Sequence, residues 1–273
     1  MSVLYQQNDL EILVSTMNQK DLGFLYRMFP DDLWQSISVL VVNQTDGEEL
    51  QSGFENVKVV NCYEFGLSKS RNIALQQAEK DLVLLADDDV IFEHDFAAKL
   101  LHAFNKNPFT DVVRFRYTQN GKQIKKYPQA FCQDLNWFQV LDISSVELAF
   151  KRKVILETNV RFDENFGIGA CFPIGEEAIF VSDLKNKNFR ISGEPEVILD
   201  HPGETTSKRI NSEMLYFNQS AVFFRIFRNK YVLWIFLKLF FDLKQGKIGI
   251  LQIPKLISQA IKGKKQYVKN SRL

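Results

Sequence analysis

Apolar residues in the first third of the chain fall in short unbroken runs. Glu11-Ile-Leu-Val-Ser15 is the first, and further runs cover residues 37–42, 57–60 and 82–85. Runs without alternation suit strands buried on both faces. Between the first two runs, residues 20–29 carry Leu22, Leu25, Met28 and Phe29 at helical spacing. Residues 68–79 predict a second helix, with Ile73, Ala74, Leu75 and Ala78 on its apolar side. This alternation of strand and helix predicts an α/β fold with a mostly parallel, doubly wound sheet. Ligands of such sheets bind at the carboxyl ends of the strands, here residues 16–18, 43–46 and 87–89.

The middle of the chain is less regular. Residues 112–117 and 146–150 read as strands, separated by a loop-like stretch containing Pro128 and Trp137. Residues 167–175 are glycine-rich, 176–186 read as a helix, and 197–199 as a last strand. Residues 221–241 mix bulky apolar side chains with Arg225, Arg228, Lys230 and Lys238. That stretch is too interrupted to span a bilayer and reads as an interfacial helix or helix pair, its basic residues toward lipid headgroups. A second amphipathic piece, residues 250–261, runs into Gly263-Lys-Lys265.

Composition sharpens this division. The chain has 273 residues, 45% hydrophobic and 25% charged, enough for one large α/β domain with an appendage. From Thr205 onward there are 14 basic residues and two acids, a net charge of +12, so residues 1–204 carry −11 of the overall +1. An acidic front suits a cation site, and a basic tail suits an anionic surface. The expected organisation is therefore an α/β domain over 1–205 and a C-terminal amphipathic helical region over 206–273. The tail carries no nucleic-acid recognition motif, so an anionic membrane surface is the expected partner and nucleic acid is not. Cys62, Cys132 and Cys171 lack metal-type spacing and read as buried thiols of a reducing compartment. The polar start of the chain does not read as a signal peptide. The expected location is cytoplasmic, on the inner face of the cell membrane.

The sharpest chemical feature is Leu84-Leu85-Ala86-Asp87-Asp88-Asp89-Val90, three carboxylates directly after a buried strand. Packed like charges repel, and desolvation adds to the cost, so a cation is the natural remedy. Hard oxygen ligands at this spacing suit Mg²⁺ or Mn²⁺. An EF-hand does not fit, because no glycine occupies its sixth position. On the triplet alone, phosphatase, nucleotidyltransferase and glycosyltransferase chemistry all stay open.

The neighbouring motifs narrow the choice. Gly66-Leu-Ser-Lys-Ser-Arg-Asn-Ile-Ala74, then Ala78, then the strand and Asp87-Asp88-Asp89, resembles family 2 glycosyltransferases of the GT-A fold. So do Phe166-Gly-Ile-Gly169, Gly175-Glu-Glu-Ala-Ile-Phe180 and Asp200-His-Pro-Gly-Glu-Thr-Thr206, and together these motifs span roughly residues 10–205 in the family's order. The resemblance implies inverting transfer of a sugar from a nucleotide-sugar donor, UDP-linked, to a glycan or lipid-linked acceptor, assisted by Mn²⁺ or Mg²⁺. It implies Glu177 as catalytic base and a metal site of Asp89, Asp87 and His201. Thr16, Asn18, Asn43, Gln44, Arg71, Asp87 and Asp88 are expected at the donor, with Arg71 on the diphosphate. Phe166, Gly169, Glu176 and Trp137 are expected at the acceptor. Two departures stand out. Val42-Asn43-Gln44-Thr45-Asp46 offers amides where many relatives place acids against the uracil, although an amide oxygen still accepts an N–H. The catalytic pair is Glu176-Glu177, where most relatives have Glu-Asp. The alternatives are a metal-dependent nucleotidyltransferase and a nucleotide-binding membrane adaptor of the same fold without turnover.

Overall fold

The computed structural model describes residues 4–203 and 210–271. The four apolar runs form strands β1 (Leu10–Met17), β2 (Ser38–Gln44), β3 (Val57–Cys62) and β4 (Leu82–Asp87), all mutually parallel. Four more strands extend the sheet: β5 (Ile91–Phe92), β6 (Val112–Thr118), β7 (Leu148–Lys151) and β8 (Ile191–Asp200). The order is β3-β2-β1-β4-β7-β6-β8-β5. β7 runs antiparallel to both β4 and β6, β8 is parallel to β6, and β5 is an antiparallel edge. The sheet is thus mixed α/β of the GT-A type, parallel where the apolar runs predicted it.

Alternate residues of the central strands feed two separate cores. Ile12, Val14, Val39 and Val41 face one side, and Leu13, Leu40 and Val42 the other. Coverage on both faces is why these strands read as unbroken apolar runs. The Leu67–Gln77 helix covers the second side through Ala74 and Leu75. The Phe96–Lys106 helix, additional to the predicted elements, covers the first through Phe96, Leu100, Ala103 and Phe104.

Other differences from expectation have local causes. The first helix is only Gly23–Met28, because Pro30 follows and Asp31 and Asp32 take positive φ of 50° and 56°. Residues 145–147 form a turn before β7, closed by Ser144 N–H donating to Glu147 Oε2 at 3.1 Å. β8 is longer than its apolar end, since Glu194-Pro195-Glu196 lies at a register shift against Arg114–Arg116 that tolerates a proline. Among the cysteines only Cys62 is buried; Cys132 is half-buried and Cys171 exposed, which corrects the expectation of buried thiols.

Among the described residues the basic tail forms three α-helices, Ser212–Phe227, Tyr231–Lys244 and Ile253–Asn270. Phe166, Phe172 and Ile179 share a small core with Ala221, Val222 and Tyr267, which ties this helical layer to the sheet domain. Arg225 reinforces the joint, pairing with Asp163 at 2.9 Å and Asp183 at 2.7 Å. Lys238 pairs with Asp242 at 2.8 Å. These two cations, expected at lipid headgroups, are therefore engaged inside the layer. The expected division near residue 205, and the end of the late histidine motif at Glu204-Thr205-Thr206, lie outside the described residues. No helix among the described residues is long and apolar enough to cross a membrane.

Gly263 sets the spacing of the layer. A Cβ there would stand 1.9 Å from the Phe217 carbonyl oxygen and 2.6 Å from Ser220 Oγ. Gly263→Ala must push the Ile253–Asn270 and Ser212–Phe227 helices apart and is expected to lower the unfolding free energy by about 1–3 kcal/mol, read by chemical denaturation. Gly53→Ala, with nothing within 4 Å of its Cβ, is the control and should leave stability nearly unchanged.

Candidate active site

The carboxyl ends of β1, β2 and β4 lie level, with Ser15 opposite Asp87 and Thr16 opposite Asn43 in the register. They open into a cavity of about 730 Å³, a volume suited to a small-molecule ligand. Thr16, Gln44, Arg71 and Asp87–Asp89 line its sheet side. Gly169, Glu176, Glu177 and His201 line the opposite walls. Gln219, Val222 and Phe223 of the C-terminal layer close a further side.

Arg71 organises the centre. Gly66, with φ of 134°, starts the Leu67–Gln77 helix, and Gly169 is so near that its Cβ would lie 3.2 Å from Gly66 Cα. This close approach of two glycines brings the Phe166–Gly169 loop against the helix start. The Arg-Asn pair then divides its work. Asn72 donates to Phe162 O at 3.0 Å and accepts from Phe162 N–H at 2.8 Å, fixing the stretch that precedes the loop. Arg71, almost fully buried, reaches Asp87 at 3.0 Å, Glu176 at 3.2 Å and Glu177 at 3.4 Å, and donates to Ser145 Oγ at 2.6 Å. Burial works against its charge, but Asp87, Glu177 and Glu176 outweigh that and hold the guanidinium firmly protonated. Arg71, expected on the diphosphate, lines the cavity and gathers the acids there.

Glu176 and Glu177 occupy the first turn of the Glu176–Asn186 helix, where the helix dipole favours acids. Glu176 is buried, and its Oε2 has no hydrogen-bond partner among the described residues. Burial, and then the Glu177 charge, push its carboxyl up to about 8 against the pull of Arg71. Glu177 is more open to the cavity; its Oε1 accepts from Ser145 N–H at 3.3 Å as well as from Arg71.

The acidic triplet splits three ways. Asp87 pairs with Arg71. Asp88 Oδ2 accepts from Thr16 Oγ1 and, at 3.0 Å, from Gln19 Nε2, tying the end of β4 to the end of β1. Asp89 faces His201, with 3.5 Å between its Oδ1 and His201 Nε2. Burial raises the Asp89 carboxyl above its usual range; His201 counteracts this, while Asp87 and Asp88 add to it. The described residues contain no group of three or more His, Cys, Asp or Glu side chains arranged to hold a metal. Asp89 and His201 are nonetheless a carboxylate and an imidazole side by side at the cavity wall, a donor pair that suits a divalent cation completed by ligand oxygens and water.

Four expected residues stand apart from the cavity lining. Asn18 is exposed, at φ of 54°, and meets β2 through its backbone. Asn43 is buried; its Oδ1 accepts from Gln19 N–H at 3.1 Å, and its Nδ2 donates to Asn61 at 3.1 Å. Phe166 packs on Phe172 and Tyr267 in the small core. Trp137 lies edge-on to Phe227 of the helical layer. Gln44 lines the cavity, but its Oε1 already accepts from Gly66 N–H at 2.6 Å.

Ser145 is the principal residue that motif reasoning missed. It lies in no recognisable motif, and the fold alone brings it to Arg71 and Glu177. Its turn is anchored by Glu147, a fully buried acid bonded to Arg114 at 2.8 Å, Lys125 at 2.9 Å and Tyr127 at 2.7 Å. Although burial opposes it, Lys125 and Arg114 hold the Glu147 carboxyl below the usual glutamate range.

Residues 44–177 match the model described as Glycosyl transferase family 2. That segment carries the family 2 glycosyltransferase signature. The fold is similar to that of S. aureus TarS. Against the crystal structure of TarS 1-349 the TM-score is 0.60 at 18% identity, covering 93% of this chain and 80% of that one. Against the same fragment in complex with UDP-GlcNAc it is 0.62 at 17% identity, covering 92% and 79%. Against the longer TarS structure it is 0.61 at 17% identity, with 92% of this chain matched to 47% of that one. Likeness at this identity speaks for the fold. No curated protein matches the chain.

The Glu176 carboxyl carries a pH prediction. Its pKa is raised in the folded state, so its stabilising contribution is complete below the ordinary glutamate value and is lost as pH rises through about 8. Glu176→Gln removes that dependence. Thermal melts across this range should show the wild type losing stability relative to Glu176→Gln as pH rises. Parallel curves would contradict the reading.

Proposed function

We propose that the protein is an inverting glycosyltransferase that moves a sugar from a nucleotide donor, UDP-linked, to a glycan or lipid-linked acceptor at an anionic membrane surface. The observation that carries this reading is the meeting of Asp87–Asp89, Glu176–Glu177 and His201 around one cavity at the carboxyl ends of parallel strands. The family match and the TarS complexes with UDP-GlcNAc and UDP support the donor class.

Glu177 is the base in this reading. Arg71 and the Ser145 N–H fix its Oε1, so the carboxylate is positioned before the acceptor arrives. It takes the proton from the acceptor hydroxyl as that oxygen bonds to the anomeric carbon and the nucleoside diphosphate departs from the opposite face. A single displacement inverts that carbon. Asp89 and His201, with Asp87 adjacent, are the residues that would hold Mn²⁺ or Mg²⁺. Such an ion supplies charge neutralisation of the departing diphosphate. Glu176, buried beside Glu177, acts as a neighbour whose charge is kept low.

The test is UDP release from a panel of UDP-sugars with Mn²⁺ or Mg²⁺, with and without chelator, in the presence of crude lipid-linked acceptors. Release from one sugar, lost on chelation, is expected. Glu177→Gln should slow it by about 10²–10⁴-fold, and Asp89→Ala should abolish the metal response. Metal-dependent nucleotide binding without release would favour an adaptor without turnover. Failure to bind any uridine nucleotide would overturn the donor assignment.

A further inference from the structure

The outer surface of the C-terminal layer has the composition of neither a free surface nor a core. The Tyr231–Lys244 helix buries Ile235, Leu239 and Asp242 on one face. A second face carries Leu233, Phe236, Phe240 and Leu243, spaced three and four residues apart and each at least 36% exposed. Beyond the helix, Ile250 and Leu251 project further, at 71% and 96% exposed. A helix apolar on two faces but covered on one leaves an unpartnered apolar surface.

The charges around this surface are of one sign. Arg228 and Lys230 precede the helix, Lys244 ends it and Lys247 follows it, all exposed. None of the four forms an ion pair among the described residues, whereas both acids of the layer are neutralised: Glu213 by Lys255 at 2.6 Å and Asp242 by Lys238 at 2.8 Å. An apolar stripe bracketed by uncompensated cations is complementary to a layer with apolar depth and an anionic face.

We infer that the Leu233–Phe236–Phe240–Leu243 face and the Ile250–Leu251 tip enter the interfacial zone of an anionic lipid bilayer, with Arg228, Lys230, Lys244 and Lys247 at the headgroups. This deepens the membrane-surface part of the function proposed above and rests on it. The same helical layer also borders the cavity. Phe223 lines the cavity, and its ring lies 6.0 Å from Trp234 on the lipid-facing helix.

The experiment is co-sedimentation of the full chain with vesicles of pure phosphatidylcholine and of phosphatidylcholine containing phosphatidylglycerol, at low and high salt. Wild type is expected on the anionic vesicles, with binding weakened but not abolished by salt. Lys244→Glu with Lys247→Glu should weaken it by roughly tenfold or more, each cation near the surface being worth about fivefold. Phe236→Ser with Phe240→Ser should abolish the salt-resistant part. Metal-dependent binding of UDP, followed in the same samples, should be unchanged in both variants, which separates failure of this inference from failure of the donor assignment. Equal binding of wild type and variants, no binding to anionic vesicles, or a stable dimer by light scattering that is broken by Phe236→Ser with Phe240→Ser would overturn it.

Discussion

The acids at the centre of the cavity are gathered by one buried guanidinium. Arg71 lies among Asp87, Glu176 and Glu177, so three acids share a single cation. A buried charge left without its partner costs several kcal/mol, about 3–5 when one side of a buried pair is removed. The excess negative charge here is relieved in two ways: burial keeps a proton on Glu176, and the cavity side of the cluster is left attractive to a cation. The same cluster joins four parts of the chain: the end of β4, the helix after Gly66, the Ser145 turn and the start of the Glu176–Asn186 helix. Its geometry fixes how Glu177 presents its carboxylate to the cavity.

That convergence also explains why the motifs are spaced as they are. Gly66 and Gly169 approach each other because neither carries a side chain, and Asn72 holds the stretch leading into the Phe166–Gly169 loop. Gly175 plays a similar part toward the tail, since a Cβ there would fall 2.4 Å from Val222 Cγ2. The Ser212–Phe227 helix consequently forms one wall of the cavity, and the C-terminal helices share a core with the Phe166–Gly169 loop, although their composition sets them apart from the acidic front of the chain.

Much of this was legible in the sequence where a residue's role is local. Unbroken apolar runs gave the four parallel strands, because burial on both faces removes alternation. The acidic triplet, the glutamate pair and His201 were placed at one site by their motifs, and the fold brings them to one cavity. Roles set by distant partners were not legible. Arg71 reads as a phosphate ligand, and its motif gives no sign of the three carboxylates that it gathers. Asn43 and Gln44 read as base-binding amides, and nothing in their local sequence signals that Gln19 and Gly66 donate to their oxygens. Ser145 carries no signal, since its value lies in a backbone N–H and a hydroxyl that only the Glu147-anchored turn aims at Glu177 and Arg71. Phe166 and Trp137 show the same limit from the apolar side, as an aromatic ring near a binding loop reads alike whether it stacks on a sugar or on another ring.

The most direct test of the central claim, that Arg71 and Glu177 work as one unit, is a double-mutant cycle on the transfer rate with Arg71→Lys, which keeps the charge but loses the planar fork, and Glu177→Gln. If the two act as a unit, the double variant should be no slower than the worse single variant, with all three proteins folded by thermal melting. Losses that multiply, so that each change costs the same whether or not the other is present, would contradict it.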